Sequence, residues 1–171
     1  MKANLPYFWY AAYTNPRAEK TVLQRLLKND IEAYLPLVKK LKQWSDRKKW
    51  VEEPLFNSYI FVHVSEREYN QVLSTIGIVR YITFSGKAVA IPEKQMAVLR
   101  RVVATNENVE VSDFNFLPGD PVKIVGGPFI GLEAELISVQ NEQKVVIKID
   151  AINQVLIVNV SKAFLEPLVL N

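Results

Sequence analysis

Few residues in this chain have the types and spacing that covalent chemistry requires. The sequence contains no cysteine and one histidine, His63, with no nucleophile or second ligand near it in the chain. Gly126-Gly127 is not followed by the Gly-Lys-Ser/Thr of a phosphate loop. Acidic pairs occur at Glu52-Glu53 and at Glu133 and Glu135, on predicted strand edges without an evident cleft. We therefore expect no enzyme, no metal site and no cofactor, and we interpret His63 as structural.

Noncovalent recognition of nucleic acid is the chemistry that one segment favours. Residues 39–50 contain six basic residues, one acid and two tryptophans around a Ser45-Asp46 turn, which predicts a long basic hairpin. Basic groups can engage phosphates and aromatic rings can stack on bases. The candidate contacts are Lys39, Lys40, Lys42, Trp44, Arg47, Lys48 and Lys49. A solvated hairpin whose tryptophans clamp its two arms explains the segment equally well.

Charge is distributed unevenly along the chain. Residues 1–105 hold 17 Lys or Arg against 9 Asp or Glu, a balance of +8, whereas residues 106–171 hold 4 against 9, a balance of −5. A basic N-terminal part suits a polyanion such as nucleic acid, bound modestly and in a salt-sensitive way. The absence of an N-terminal targeting pattern and of any long apolar run predicts a soluble, cytoplasmic protein.

The stretch from Glu53 to Val64 is predicted to be the central strand of a sheet. Its side chains alternate, so Tyr59, Phe61 and His63 project from one face and Ile60, Val62 and Val64 from the other. The aliphatic face needs helices to cover it, and the aromatic face, if uncovered, is a docking patch for a partner. Large aromatics also dominate protein cores, so Tyr13, Phe61 and Phe84 can equally be core residues.

The elements around this strand are predicted from periodicity and from turn signals. Strands are expected at 8–14, 33–38, 78–84 and 87–91, with a tight turn at Ser85-Gly86. A first helix is expected from Pro16, capped by Asn15, with the inward positions Ala18, Val22, Leu23, Leu26 and Leu27. A second helix follows a capping box at residues 65–68, with Tyr69, Val72, Leu73 and Ile76 inward, and a third begins at Pro92.

The C-terminal part has a different pattern. Residues 105–115 are polar and acidic and are predicted to be a linker between a domain at 1–104 and a domain at 116–171. The second domain shows only short strands with regular turns, which suits a small barrel. Its segment from Val145 to Val160 holds nine Val or Ile among sixteen residues, and β-branched side chains fit strands better than helices.

Two motifs in this order resemble the NusG family of transcription factors. The strand Glu53-Pro-Leu-Phe-Asn-Ser-Tyr-Ile-Phe-Val62 after a basic hairpin is similar to the family's N-terminal domain. Gly127-Pro-Phe-Ile-Gly-Leu-Glu-Ala-Glu-Leu136 looks like its KOW motif. The resemblance implies an α+β fold, with an antiparallel sheet flanked by helices followed by a small all-β, SH3-like KOW barrel. Asn57-Ser58, where general members usually have Pro-Gly, looks more like the specialised UpxY and RfaH paralogues.

The resemblance also implies a function, in which the N-terminal domain binds the clamp helices of RNA polymerase and suppresses pausing. The implied polymerase contacts are Tyr13, Phe56, Tyr59, Phe61 and Phe84. Non-template or upstream DNA is a further expected partner. In the barrel, Phe129, Ile130 and Phe164 match the surface that docks a ribosomal protein or Rho in relatives. We expect a monomeric, operon-specific antitermination factor; a free-standing RNA-binding or ribosome-associated KOW protein is the alternative.

Overall fold

A computed structural model describes residues 4–105, 109–113, 119–139 and 142–169. The chain divides into two compact units, residues 1–96 and residues 97–171. No helix in the described ranges is long and apolar enough to cross a membrane. In chain order the strands and helices are β1 (Phe8–Thr14), α1 (Glu19–Lys28), β2 (Glu32–Tyr34), β3 (Leu37–Gln43), β4 (Lys48–Pro54), β5 (Tyr59–Val64), α2 (Glu66–Leu73), β6 (Ile78–Tyr81), β7 (Thr83–Phe84), β8 (Lys87–Ala88), α3 (Glu93–Ala104), β9 (Glu110–Asp113), β10 (Asp120–Ile124), β11 (Glu133–Val139), β12 (Glu142–Ile149), β13 (Gln154–Val158) and β14 (Leu165–Pro167).

The first unit is built on a four-stranded antiparallel sheet in the order β2-β5-β1-β6. β1 and β5 pair from Phe8 opposite Val64 to Tyr13 opposite Tyr59. Because residues opposite each other project from the same face, the odd-numbered residues of both strands share one face. The prediction that β5 lies in the centre of a sheet is confirmed.

Helices α1 and α2 cover the aliphatic face of this sheet. Ile60, Val62 and Val64 form a buried cluster, to which the two helices contribute Val22, Leu26 and Val72. Each fully buried aliphatic side chain of this kind contributes about 1.5–3 kcal/mol relative to exposure. The expectation that helices cover this face is therefore confirmed, and the odd-numbered face is the one left for function.

The start of α2 follows its sequence signal. Ser65 accepts a hydrogen bond from the backbone N–H of Arg67, and the Ser65 backbone N–H donates to Glu68 Oε2 at 2.9 Å. Hydrogen bonds from the hydroxyl of Ser65 and then that of Tyr7 lower the pKa of Glu68 from 4.5 to about 2. The predicted capping box is present, because both halves of the reciprocal pair form.

The predicted central strand is interrupted. β4 ends at Pro54 and β5 begins at Tyr59, so residues 55–58 form a turn. Ser58 adopts φ 62°, in the left-handed region that non-glycine residues seldom occupy and that does not continue a strand. Phe56 therefore lies in this turn, and its placement within the central strand was wrong.

Three further boundaries differ from the prediction. α1 begins at Glu19 rather than Pro16, because Arg17 takes φ 64° and breaks the helical path, and its N-cap residue Ala18 offers no side-chain hydrogen bond. The strand expected at 33–38 is two strands, β2 and β3, separated around Pro36, which has no N–H for a sheet ladder. The strand expected at 78–84 is likewise divided at Ile82 into β6 and β7.

Three apolar positions expected to face inward are exposed. Leu27 is 51% exposed, Leu73 is 40% exposed and Ile76 is 75% exposed. The helices are only 10 and 8 residues long, and each buries a narrow stripe. Ile76 lies beyond the end of α2, where helical periodicity no longer applies. The Ser85-Gly86 turn between β7 and β8 is confirmed, with φ 51° and 77°.

The second unit contains a six-stranded antiparallel sheet in the order β14-β10-β11-β12-β13-β9. The segment from Val145 to Val160 forms strand residues in β12 and β13, which confirms the preference of its β-branched side chains for strands. The α+β fold class is confirmed, and this sheet fits the expected KOW-like barrel.

Part of the segment expected to be a linker is a strand. β9 pairs with β13, with Asp113 opposite Gln154 and Glu110 opposite Ile157. Within the same segment, residues 106–108 and 114–115 lie outside the described residues. The domain boundaries at 104 and 116 stay a prediction.

Candidate functional site

The odd-numbered face of the sheet carries a pair of tyrosines. Tyr13 on β1 lies opposite Tyr59 on β5, their ring centroids are 4.9 Å apart, and the Tyr59 hydroxyl donates to the Tyr13 hydroxyl at 3.4 Å. The guanidinium carbon of Arg80 on β6 lies 4.9 Å from the Tyr13 ring centroid. Both tyrosines are half-buried. Aromatic rings with polar tips beside an arginine are the residue types enriched at energetically important points of protein interfaces.

Two phenylalanines extend this pair into an aromatic cluster of Tyr13, Phe56, Tyr59 and Phe61. The Phe56 ring centroid lies 6.3 Å from those of Tyr59 and Phe61, in edge-to-face contacts. Phe61 is fully buried and Phe56 is 3% exposed. The expectation of an open patch on this face is therefore wrong for these two rings, because they are packed in the interior. The accessible part of the cluster is the tyrosine pair.

The turn that orders the cluster is held by a buried carboxylate. Glu19, 6% exposed in the first turn of α1, accepts a hydrogen bond from the Ser58 backbone N–H at 2.7 Å. The Ser58 carbonyl accepts from the backbone N–H of Thr14 at 2.9 Å. These two bonds fix the backbone between Phe56 and Tyr59. Sequence reasoning did not identify Glu19, since an acid in the first turn of a helix has an ordinary electrostatic role there.

Phe84 belongs to a different part of the first unit. It lies on β7, in the two-stranded β7–β8 sheet, and is 78% exposed. The alternative that Phe84 is a core residue is wrong, because a core aromatic would be buried. The interpretation of Phe84 as a contact with a partner stays a prediction.

His63 has partners that explain it structurally. Its Nδ1 lies 2.6 Å from Glu32 Oε2 across the β2–β5 pairing, and its ring stacks on Trp9 with centroids 4.9 Å apart. Within the described residues, no three His, Asp or Glu side chains converge as they would around a metal ion. These contacts support the structural interpretation of the histidine.

The basic hairpin is a two-stranded sheet of β3 and β4, closed at its tip by a hydrogen bond from the Trp44 N–H to the Arg47 carbonyl at 2.8 Å. Lys40 Nζ lies 3.9 Å from Glu53 Oε2, and Lys42 Nζ forms an ion pair with Glu53 Oε1. The hydrogen bond from Lys42 lowers the pKa of Glu53 below its ordinary value. Two of the seven candidate nucleic-acid residues thus already share an anion within the hairpin.

The two hairpin tryptophans do not clamp the arms together. Trp50 lies opposite Leu41, whereas Trp44 lies at the tip, with the guanidinium carbon of Arg47 5.8 Å from its ring centroid. Trp44 is 52% exposed and Trp50 is 65% exposed. The remaining candidates, Lys39, Lys48 and Lys49, are exposed. The hairpin therefore presents cations and aromatic rings to solvent together.

The barrel residues separate into core and surface. Phe129 is 2% exposed, so its placement on a partner-binding surface is wrong: it belongs to the core of the second unit. Ile130 is 48% exposed and Phe164 is 40% exposed. A Cβ added to Gly126 would lie 2.4 Å from Phe164 Cδ1, so the ring lies directly on the glycine backbone. A pocket of about 150 Å³ lies beside this contact, lined by Gly126, Pro128, Phe129, Asn159, Val160, Ser161 and Phe164.

A polar cleft that sequence reasoning did not predict lies between the C-terminal ends of α1 and α2. Its volume is about 610 Å³, and its lining is Lys28, Asn29, Asp30, Asn70, Gln71, Ser74 and Thr75. Amides and hydroxyls of this kind suit a polar ligand. Arg80 was also missed, although its position next to buried Tyr81 on a strand predicts a side chain on the opposite face.

The fold and the surfaces together define a binding protein: a sheet-and-helix unit with a tyrosine pair and a basic hairpin, followed by a small β unit. The family model described as "Transcription termination factor nusG" matches residues 7–100. The chain therefore belongs to the NusG family of transcription termination and antitermination factors.

Individual relatives agree with this family over most of the chain. The transcription termination/antitermination proteins NusG of Streptococcus pyogenes serotypes M1 and M3 are 22% identical over 144 residues, covering 78% of this chain and 79% of the relative. NusG of Thermotoga maritima, solved in a study of its domain interaction, has a TM-score of 0.54 at 22% identity. That alignment covers 94% of this chain and 97% of the solved one, and it supports the fold.

Proposed function

We propose that this protein is an elongation and antitermination factor that binds RNA polymerase through the tyrosine pair of its first unit. The observation that carries the proposal is the half-buried Tyr13–Tyr59 pair with Arg80 beside it, within the part of the chain that matches the family model. Phe56 and Phe61 support the pair from the interior, and exposed Phe84 is a second contact. The clamp helices of the polymerase are the proposed docking partner.

Binding of full-length variants to purified RNA polymerase tests this proposal. Tyr59→Ala should weaken binding by about 1–3 kcal/mol, the usual loss for an aromatic anchor at an interface. Phe8→Ala is the matched control, since Phe8 is 46% exposed on β1 but projects from the opposite face of the sheet. Equal affinities of Tyr59→Ala and wild type, with Tyr13→Ala also unchanged, would remove the tyrosine pair from the interface.

The barrel is the proposed recruiting module of the same factor, with a ribosomal protein or Rho as its partner. Support comes from Ile130 and Phe164, which are apolar, partly exposed, and close in the chain to the pocket at Gly126. Replacement of Ile130 by Ser should weaken capture of the ribosomal protein or of Rho without changing polymerase binding. Unchanged capture of both candidates would place the recruiting surface elsewhere.

Action on particular operons is the finer part of the proposal. Its support is the turn at Asn57-Ser58, where general members usually have Pro-Gly, and the basic hairpin that would contact upstream or non-template DNA. Mapping of the protein along chromosomal DNA tests this directly. Occupancy of a few transcription units is the expected result, and occupancy of nearly all transcribed genes would identify a general factor.

A free-standing RNA-binding or ribosome-associated protein is the second candidate, favoured by the exposed apolar residues of the barrel. Co-purification separates the two. Recovery of RNA polymerase after nuclease treatment supports the elongation factor, whereas recovery of ribosomes or RNA without polymerase supports the second candidate.

A further inference from the structure

The two faces of the basic hairpin differ in chemistry. Leu41 on β3 lies directly opposite Trp50 on β4, and residues opposite each other project from the same face of a two-stranded sheet. Lys39 and Lys48 share this face, because each lies two residues along its strand from Leu41 or Trp50. The other face carries Lys40, Lys42 and Lys49, together with Glu53.

The second of these faces spends part of its charge within the hairpin. Glu53 pairs with both Lys40 and Lys42, so two of its three lysines have an anionic partner already. Lys42 also lies directly opposite Lys49, and like charges in that position repel each other. This face suits a weak, general attraction to a polyanion, and it has no aromatic ring among its strand residues.

The first face holds an apolar surface open to solvent. Trp50 is 65% exposed and Leu41 is 49% exposed, so their contact leaves most of the indole uncovered. A tryptophan that served only to clamp the strands would be largely buried against its neighbour. Because same-face residues of a strand are about 7 Å apart, Lys39 and Lys48 border the Leu41–Trp50 platform at diagonally opposite corners.

We propose that the Leu41–Trp50 platform binds single-stranded nucleic acid, with a base stacked on the Trp50 indole and phosphates beside Lys39 and Lys48. Charge complementarity selects this occupant over an apolar protein, because residues 37–54 hold six cations and three anions. A duplex presents its bases paired and stacked, whereas a single strand offers both base faces and phosphates. The inference deepens the nucleic-acid contact of the proposed function and rests on it, since a factor on a transcribing polymerase works beside separated strands.

The test measures affinity of the full-length protein for labelled oligothymidylate of about 12 nucleotides, a length within the usual site sizes of single-strand binders. An abasic oligomer of equal length carries the same phosphates without bases. Trp50→Leu keeps an apolar side chain opposite Leu41 but removes the ring, and Trp50→Phe restores a smaller ring. We expect Trp50→Leu to bind oligothymidylate about tenfold more weakly, Trp50→Phe to bind nearly as tightly as wild type, and the affinity for the abasic oligomer to be unchanged in both.

Three results would overturn the inference. Equal affinity of wild type and Trp50→Leu for oligothymidylate would show that no base stacks on the indole. An equal loss on the abasic oligomer would show that the substitution disturbs the charges. Loss of self-association in Trp50→Leu without a change in oligonucleotide binding would assign the platform to a second copy of the chain. Polymerase binding measured on the same variants should be unchanged, which separates a failure here from a failure of the proposed function.

Discussion

Replacement of Phe56 by Ala should unfold the first unit more readily, rather than simply weaken a docking surface. The side chain is 3% exposed and its ring packs edge-to-face on Tyr59 and Phe61. Truncation of a buried phenylalanine removes its transfer free energy and leaves a cavity, which together cost about 3–5 kcal/mol. Half-buried Tyr59 has less packing to lose, so Tyr59→Ala should cost about 1–2 kcal/mol.

Tryptophan fluorescence can follow this unfolding in the first unit. Trp9 is 4% exposed and stacks on His63, whereas Trp44 and Trp50 are exposed on the hairpin. In a background carrying Trp44→Phe and Trp50→Phe, the signal reports on Trp9 alone. With a urea dependence of about 1–3 kcal/mol per molar, Phe56→Ala should lower the unfolding midpoint by about 1 M or more.

A particular pair of results would refute this reasoning. If Phe56→Ala unfolds at the midpoint of Tyr59→Ala or above it, and at the same time loses polymerase binding, then Phe56 is an accessible contact and not a packed one. A lowered midpoint with normal polymerase affinity of the remaining folded protein is the result that the burial of Phe56 predicts.

The remaining predictions concern the turn, the hairpin and the helix cap. Ser58→Gly should stabilise the protein by about 0.5–1 kcal/mol in urea unfolding, because glycine adopts the left-handed conformation at φ 62° without steric cost; a loss of stability would show that the Ser58 side chain contributes more than its backbone strain. Replacement of three hairpin cations by Gln should flatten the salt dependence of binding to transcription complexes by up to about three counterions, and an unchanged slope would leave the hairpin merely solvated; the three are Arg47, Lys48 and Lys49. Because the pKa of Glu68 is lowered in the folded state to about 2, its stabilising contribution is complete above pH 4.5 and is lost as pH falls toward 2. The difference in urea midpoint between wild type and Glu68→Gln should therefore shrink over that window, and a difference independent of pH would contradict the role of the ionised carboxylate.

Local sequence patterns determined the strands, the helices and their capping. Alternation predicted that Tyr59 and Phe61 share a face, the capping box predicted the start of α2, and β-branched residues predicted strands between Val145 and Val160. These features depend on side-chain direction and backbone preference within a few residues, so no distant contact is needed to specify them.

Tertiary structure decided which of the predicted site residues are accessible. Phe61 and Tyr59 are indistinguishable by alternation, yet Phe61 is fully buried and Tyr59 is not. Phe129 and Ile130 are adjacent in the chain, and only Ile130 reaches the surface. Burial is set by what packs over a residue from other parts of the chain, and composition along one strand carries no record of that.

Strand pairing decided the chemistry of the hairpin and of the tyrosine pair. The sequence showed six cations and two tryptophans in one segment, but only the register places Trp50 opposite Leu41 and brings Glu53 to Lys42. Likewise, Arg80 reaches the Tyr13 ring because β6 pairs with β1. A shift of one residue in either pairing would turn the side chains of one strand to the opposite face, so the choice among registers rests on the contacts of the whole fold.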